Sequence, residues 1–363
     1  MSEEKPIFEV ENDIEIPDPD ERPIRDRKVI TQPFDLVAES LVEQIKGGTI
    51  FLRPLNERPR FQRRYVWTDV LASRLIESII LNVPIPPCYL SQNEEYELDV
   101  IDGQQRLYSI FRYLENQFKL DGLEVVSELE GKRFFEVPTK IQRQLKTHTL
   151  RCVVITNESH PEIKFDVFER LNTNTVPLNS QELRNCIYRG SLNTLLGKLS
   201  EDPKWLSILN RKNADNRLRD EEIILRFFAF FVHGLDSYRT PQKHWLNDVA
   251  KQGRRYSEKT ISELQDTWGR MIDNSLIWFD KAECFRRPGS RAINKALFDL
   301  VAQTASKMDQ DKATKMREEF RNRYTNLLQE EEFQDLISRA VDHTKRTRRR
   351  FEIWNERFGE LTA

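Results

Sequence analysis

The segment of residues 97–107, ELDVIDGQQRL, combines groups that could bind an anion. Its first half is an apolar run typical of a strand, and a helical pattern begins directly after Asp102-Gly103. Gly103 permits a tight turn and the close approach of a ligand to the backbone. The first N–H groups of a helix have no partner within it, and the macrodipole favours a negative charge beside them. With Arg106 as a forked donor, this segment predicts a phosphate-binding site.

Asp102 is the unexpected member of this segment, because a carboxylate repels phosphate. It would be useful beside an anion if it held a metal ion, a sugar hydroxyl or a base. The alternative interpretation is structural, with Asp102 as the N-cap of the helix and Arg106 as a solvated surface cation. The residue types alone leave both interpretations open.

A second segment, FQRRYVW at residues 61–67, precedes an amphipathic helix predicted over 70–81. Adjacent arginines beside Tyr65 and Trp67 suit a nucleotide or a nucleic acid, through charge and ring stacking. Alternatively, the two rings pack into the core at the helix start and the arginines are solvated.

A third segment, FERLNTNTVPLNSQELR at residues 168–184, contains a polar loop followed by a helix signal. Asn179 followed three residues later by Glu182 is a capping-box pattern, which predicts that a helix begins there. The loop at 172–174 carries short hydrogen-bonding side chains. Such a loop can bind polyphosphate or magnesium, or it can satisfy only its own turn.

Strand and helix signals alternate from about residue 34 to residue 190, which is typical of an α/β domain. Strands are predicted over 49–52, 88–90, 96–101 and 150–155, and helices over 34–45, 70–81, 104–117, 162–171 and 181–188. Helical periodicity dominates after residue 190. We therefore predict an α+β protein with an acidic flexible tail over 1–30, an α/β domain over 31–190 and an all-α helical domain over 191–363.

The net charge of −2 over 363 residues hides an uneven distribution. Residues 1–22 carry nine acidic and two basic side chains, a net charge of −7, so that the rest of the chain carries +5. An acidic, proline-containing stretch of this kind is typical of a mobile tail. Basic clusters make contact with nucleic-acid phosphates more credible, although a solvated face explains each of them more simply. They lie at residues 58–64, 251–255, 286–291 and 345–350.

Two classes of protein are disfavoured by the sequence. No apolar run approaches the roughly 20 residues that span a bilayer, and the acidic N-terminus does not resemble a signal peptide. The four cysteines are far apart and form no C-x-x-C pair. This favours a reduced, cytoplasmic protein without a zinc site.

Four ordered motifs resemble the domain of unknown function 262 family: FQRRYVW, SRLIESIILNVPIPPCYL, VIDGQQRL and FERLNTNTVPLNSQELRN. The later segments INKALFDL and RRRFEIW are also similar, so the resemblance spans roughly residues 34–355. This family is related to the ParB/sulfiredoxin superfamily. It includes the first half of GmrSD-type, modification-dependent restriction systems and phosphorothioate-sensing phage-defence proteins. The resemblance implies a ParB-like α/β domain that binds and hydrolyses a nucleoside triphosphate and gates a DNA-cleaving module.

The resemblance also implies roles for individual residues, carried over motif by motif. The catalytic candidates are Asp102, Gln105 and Arg106, and Asp102 is also the candidate ligand of Mg²⁺. The candidates for binding the nucleotide and its phosphates are Gln62, Arg64, Tyr65, Gly103, Gln104, Asn172, Thr173, Asn174 and Arg184. The implied cofactors are a nucleoside triphosphate, whose base the sequence does not identify, and Mg²⁺.

The chain departs from the fused members of that family, which carry an HNH-type nuclease domain with clustered His and Asn. Its five histidines are scattered. Residues 130–132 match the E-x-K pattern of some nucleases, but such a match is common in a highly charged chain. If the system cuts DNA, we therefore expect the cutting to belong to another polypeptide.

The leading hypothesis is a nucleotide-binding and nucleotide-hydrolysing regulator of a bacterial restriction or phage-defence system. We expect it to be cytoplasmic, to bind DNA and no membrane, and to work with a separate nuclease or methyltransferase subunit; its oligomeric state is open. Two alternatives remain. One is a magnesium-dependent nuclease or nickase that uses the same DGQQR motif, and the other is a non-enzymatic DNA-binding adaptor.

Overall fold

The computed structural model describes residues 7–8, 29–52, 65, 67–159, 167, 179–339 and 341–362. The chain divides into two units. The first unit is Ile24–Ile187, and the second joins the beginning of the chain to Tyr188–Ala363. A mixed sheet with helices forms the first unit, while the described part of the second unit is almost wholly helical. The predicted α+β class is therefore confirmed.

The sheet of the first unit has mixed strand directions. Its described strands are β1 (Thr31–Val37), β2 (Ile50–Phe51), β3 (Cys88–Gln92), β4 (Leu98–Asp102) and β5 (Thr149–Ile155). They are arranged in the order β1-β5-β3-β4-β2. The β1–β5 and β3–β4 pairs are antiparallel, whereas β3–β5 and β2–β4 are parallel. Each of β3, β4 and β5 therefore has a neighbour on both sides.

Helices cover both faces of this sheet. The described α-helices of the first unit are α1 (Ala38–Lys46), α2 (Asp69–Ile80), α3 (Gln104–Leu114), α4 (Thr139–Thr147) and α5 (Ser180–Ile187). Because successive strand residues face opposite ways, Val100 belongs to the large core shared with α1 to α4. The next residue, Ile101, packs instead with Ile155 and with Leu183 of α5. The strand β4 is thus held from both sides just before it ends.

The predicted helix over 34–45 is wrong at its beginning. Residues 34–37 belong to β1, and α1 begins only at Ala38. Phe34 is paired with Cys152 on β5, which lies far away in the sequence. Local spacing of apolar residues cannot reveal such a long-range partner.

Ile7 and Phe8, the residues described within the first 23, belong to the second unit. Its helices are α6 (Ser191–Ser200), α7 (Pro203–Leu209), α8 (Arg219–His233), α9 (Gln242–Gly253), α10 (Glu258–Trp278), α11 (Lys295–Lys307), α12 (Gln310–Lys315), α13 (Arg317–Leu327), α14 (Glu331–Leu336) and α15 (Thr344–Thr362). Phe8 forms a parallel bridge with Ile293, and the Ile293 N–H donates to the Ile7 carbonyl at 3.0 Å. Both Ile7 and Phe8 are buried. Most other residues of the predicted acidic tail lie outside the described residues.

An ion cluster lies inside the second unit. Arg226 of α8 is 2.7 Å from Asp299 of α11 and 2.6 Å from Asp342, and it also donates to Gln242 Oε1. Arg350 of α15 is 3.7 Å from Asp299. The Arg226, Asp299 and Arg350 side chains are almost fully buried. Buried charges persist in proteins when they are paired in this way.

Helices long and apolar enough to cross a membrane do not occur in the part of the chain that the structure describes.

Candidate functional site

The strand β4 and the helix α3 are joined by Gly103 alone, as the sequence predicts. Gly103 has φ 96° and ψ 5°, in the left-handed region that favours glycine. A Cβ atom at position 103 would overlap Cys88 Sγ and would lie 2.9 Å from Cys88 Cβ. Both the backbone conformation and the packing therefore require glycine at this turn.

The N-cap position of α3 is Gly103, not Asp102. Glycine has no side chain that could accept a hydrogen bond from the first N–H groups of the helix. Asp102 instead forms an ion pair with Arg106 one turn later, at 2.7 Å between Oδ2 and Nη2. Both side chains are 14% exposed. The carboxylate and the guanidinium thus lie together at the edge of the core, within reach of solvent.

Arg106 is also bound to the segment that leads into β3. Its Nη1 donates to the Pro86 carbonyl and lies 3.5 Å from the Pro87 carbonyl. A guanidinium has five N–H donors in a planar fork, so it can bridge several oxygens at once. In this structure Arg106 joins the Asp102 carboxylate to the proline segment.

The pairing of β3 with β4 is irregular close to Asp102. Tyr89 is paired with Asp102, but Leu90 is already paired with Val100, so the register shifts between Tyr89 and Leu90. A bulge of this kind redirects side chains and is common beside active sites.

The end of the FQRRYVW segment lies against α3. The Trp67 N–H donates to Gln105 Oε1 at 3.3 Å, and the Tyr65 hydroxyl is 2.9 Å from Ser109 Oγ. The Tyr65 ring packs edge-on against Tyr108, with 5.1 Å between ring centroids. Two of the three segments that the sequence singled out therefore meet on one helix.

Arg112, two turns into α3, holds the same segment. Its Cζ lies 5.0 Å from the centroid of the Tyr65 ring, and its Nη2 is 3.0 Å from Asp69 Oδ1. Burial alone would lower the pKa of Arg112, but its contacts with Tyr65 and Asp69 raise the pKa above the usual value. Sequence reasoning did not select Arg112, although its position seven residues after Gln105 places the two side chains on the same face of the helix.

The third segment begins the helix α5 as predicted. The Asn179 N–H donates to Glu182 Oε2 at 2.7 Å, and the Glu182 N–H donates to Asn179 Oδ1 at 2.9 Å. The capping box is therefore confirmed. Arg184 on this helix is 1% exposed, and its Nη1 donates to Gln181 Oε1 at 2.9 Å. Packing of Leu183 against Ile101 places α5 next to the strand that ends at Asp102.

Several predicted site residues lie outside the described residues. They are Gln62, Arg64, Asn172, Thr173 and Asn174. The described candidates Asp102, Gly103, Gln104, Gln105 and Arg106 are contiguous in the sequence, and Tyr65 lies against the same helix.

Sequence reasoning missed Cys88 and the proline carbonyls of this site. Cys88 contacts the Gly103 turn, and Pro86 and Pro87 supply oxygens to Arg106. The available signal was the proline run, because it forces an extended backbone whose carbonyls stay outside regular structure. The sequence did not show that Arg106 binds the carbonyls of Pro86 and Pro87.

Among the described residues of this site, Asp102 is the carboxylate that could hold magnesium. Within the described ranges, no group of three or more His, Cys, Asp or Glu side chains could hold a metal ion. Mg²⁺ commonly uses one or two carboxylates together with substrate phosphates and water. Asp102 fits that pattern once a phosphate supplies the further oxygens.

The turn at Gly103 lies within a segment that has a recognised family model. Residues 39–189 match the GmrSD restriction endonuclease N-terminal domain. The resemblance noted in the sequence is thereby confirmed for these residues, which begin in α1 and end just after α5. Comparison with curated proteins and with solved structures gives no match.

Some arginines of the basic clusters that follow the GmrSD-type domain are buried or form ion pairs within the fold. Arg286 and Arg350 are buried. Arg346 is paired with Asp335 at 2.7 Å, and Arg349 with Glu332 at 2.8 Å. These contacts reduce the positive charge that the clusters at 286–291 and 345–350 present to a partner.

Proposed function

We propose that this chain binds a nucleoside triphosphate at the start of α3 and hydrolyses it to regulate DNA cleavage by another polypeptide. The observation that carries the proposal is the Gly103 turn. The N-cap residue of α3 is a glycine, which has no side chain to cap the helix, and it lies beside Arg106 within the residues that match the GmrSD N-terminal domain. Helix N-termini of this kind favour phosphate groups through their N–H donors and the macrodipole.

The Asp102–Arg106 ion pair suggests how the site responds to a nucleotide. A phosphate competes with Asp102 for the Arg106 guanidinium, because both offer oxygens in the geometry of a forked donor. The carboxylate released from this pair is then able to hold Mg²⁺ or to orient the attacking water. Phosphoryl transfer depends on positioning and on neutralising charge, so these groups suffice in principle.

The base of the nucleotide has candidate neighbours in Tyr65 and Arg112. An aromatic ring with a guanidinium over its face is a stacking platform for a planar base. The loop at 172–174, with its short polar side chains, remains the candidate to close over the phosphates.

The test is phosphate release from each of the four common nucleoside triphosphates, with and without DNA. Asp102→Asn and Arg106→Gln should each lower the rate by about 100-fold or more, since each removes a group aligned with transition-state charge. The matched control is Arg151→Gln, which breaks the exposed Arg151–Asp35 pair elsewhere in the same unit and should leave the rate unchanged. Equal rates in the wild type and in both site variants would reject the site.

A further inference from the structure

Two buried cysteines lie side by side beneath the start of α3. Cys88, the first residue of β3, is in direct register with Cys152 on the parallel strand β5. Neighbouring strands are about 4.8 Å apart, and disulfides join Cα atoms about 4.4–6.8 Å apart. Both side chains belong to the same core cluster, and both thiols are free. The pair is therefore spaced for a disulfide that has not formed.

The two thiols have different surroundings. The Cys152 thiol donates a hydrogen bond to the Cys88 sulfur, and this hydrogen bond lowers the pKa of Cys88. The charge of Arg106 lowers this pKa further, whereas burial and the charge of Asp102 raise it. The same hydrogen bond and burial raise the pKa of Cys152. The Cβ position at Gly103 lies against Cys88 Sγ and 3.4 Å from Arg106 Nη2, so Cys88 is the thiol that lies near a cation. A nearby cation favours the thiolate, and the thiolate is the nucleophile, so Cys88 is the thiol that reacts first with an oxidant.

Cys88 is connected to the candidate nucleotide site on two sides. Its sulfur fills the space where a Cβ of residue 103 would stand. The carbonyls of the two residues before it, Pro86 and Pro87, are bound by Arg106. Any displacement of Cys88 therefore acts on Gly103 and on Arg106 together.

We propose that Cys88 and Cys152 are a redox-modification site, which a peroxide converts into a disulfide and a dithiol restores. The Cys88 thiolate attacks one oxygen of hydrogen peroxide, the O–O bond breaks, and the leaving hydroxide takes up a proton to become water. Cys88 is then a sulfenic acid. The Cys152 sulfur attacks the Cys88 sulfur and loses its proton, the S–O bond breaks, and the departing hydroxide takes up that proton. In total, two thiols are oxidised by two electrons and one peroxide is reduced to two water molecules.

Closing the disulfide moves Cys88. A disulfide holds its two sulfur atoms about 2.0 Å apart, which is closer than two unbonded thiols approach. The bond therefore draws Cys88 toward β5 and shifts Pro86, Pro87 and the Gly103 turn. If the proposed nucleotide site is correct, this displacement switches it off, since a misplacement of about 1 Å can cost about 100-fold in rate.

The first experiment tests the bond and needs no activity. Wild-type protein is treated with hydrogen peroxide, free thiols are blocked by alkylation under denaturing conditions, and the digested peptides are analysed by mass spectrometry. We expect one cross-linked pair containing Cys88 and Cys152, lighter than the two reduced peptides by two hydrogen atoms and absent after dithiothreitol. Cys284, which is buried in the second unit, is the internal control and should be alkylated throughout. Recovery of Cys88 and Cys152 as free thiols, or oxidised without a cross-link, would overturn the proposal.

The second experiment tests the coupling to the nucleotide site. Peroxide should lower nucleotide hydrolysis by wild type and by Cys284→Ser about 100-fold, and dithiothreitol should restore it. Cys152→Ser should form no cross-link and should hydrolyse at the untreated wild-type rate before oxidation. A cross-linked protein that hydrolyses as fast as the reduced one contradicts the coupling. A cross-link in a protein that hydrolyses nothing even when reduced contradicts the proposed function and leaves the disulfide site in place.

Discussion

Two arginine–aspartate pairs in this molecule have nearly the same geometry and opposite surroundings. Arg226 and Asp299 are 2.7 Å apart inside the helical unit, where both side chains are at most 1% exposed. Arg106 and Asp102 are also 2.7 Å apart, but they lie at a strand end and are 14% exposed. The first pair is enclosed by further partners, Asp342 and Gln242. Distance alone therefore does not separate a structural ion pair from a candidate site; enclosure does.

The largest loss of stability is expected from removing the arginine of the enclosed Arg226–Asp299 pair. Arg226→Leu leaves Asp299 buried without its main partner, which should lower the free energy of unfolding by about 3–5 kcal/mol. Urea unfolding followed by tryptophan fluorescence measures this, because every tryptophan except Trp67 lies in the second unit. The control is Arg239→Leu, which removes an exposed pair with Asp248 in the same unit and should cost at most about 1 kcal/mol. Equal losses in the two variants would show that enclosure is not what matters.

A smaller loss of stability is expected from adding a Cβ atom at Gly103, next to the more exposed Asp102–Arg106 pair. Gly103→Ala combines a left-handed backbone with overlap on Cys88, and should lower the free energy of unfolding by about 2–4 kcal/mol. Gly131→Ala has a similar φ of 73° but nothing within 4 Å of the added Cβ, so it should cost only about 1–2 kcal/mol. Hydrogen exchange of the β4 and α3 amides measures the difference. If both variants lose the same stability, the Cys88–Gly103 contact is not tight.

The smallest loss of stability is expected at a buried carboxylate of the first unit, which extends the comparison to a third acidic side chain. Glu77 on α2 is 6% exposed and accepts hydrogen bonds from the N–H groups of Glu124, Val125 and Val126. Burial alone would raise the pKa of Glu77, but these donors and Arg74 together hold it below its usual 4.5. Glu77→Gln should therefore cost about 1–3 kcal/mol at neutral pH.

The pH dependence of that cost has a definite sign. Because the folded pKa lies below the unfolded one, the ionised carboxylate stabilises the fold above pH 4.5, and this contribution is lost as the pH falls through the folded pKa. The stability difference between wild type and Glu77→Gln should shrink in acid when followed by urea unfolding. The control is Glu128→Gln, at an exposed carboxylate just after the segment 124–126 that binds Glu77. Its stability difference from wild type should not change with pH. A difference that stays constant from neutral to acid pH would mean that Glu77 is not ionised in the fold.

Sequence reasoning located the elements around the site better than it located their partners. The strand ending at Asp102, the turn at Gly103 and the capping box at Asn179 all follow from patterns within a few residues. Apolar spacing predicts a helix from residue 34, but residues 34–37 belong to β1, because their partner strand β5 lies far away in the sequence. The register of Cys88 with Cys152 depends on the order of strands in the sheet. No local pattern contains that order.

The Asp102–Arg106 ion pair at the site could be predicted from the sequence only in part. Asp102 and Arg106 are four residues apart at the start of a helix, and this spacing brings side chains together. The sequence nevertheless suggested a capping role for Asp102, and the left-handed Gly103 took that position.

The bridge between Phe8 and Ile293 has a consequence for how the protein is made. The first unit is one continuous segment, Ile24–Ile187, so its sheet can close as soon as those residues leave the ribosome. The second unit cannot complete its folding at that point, because Ile7 and Phe8 contact Ile293, which lies about four fifths of the chain length further on. During synthesis these two apolar residues stay without their final contacts while the first unit folds between them and Ile293. Proteolysis of stalled nascent chains should therefore protect the sheet early and the beginning of the chain late.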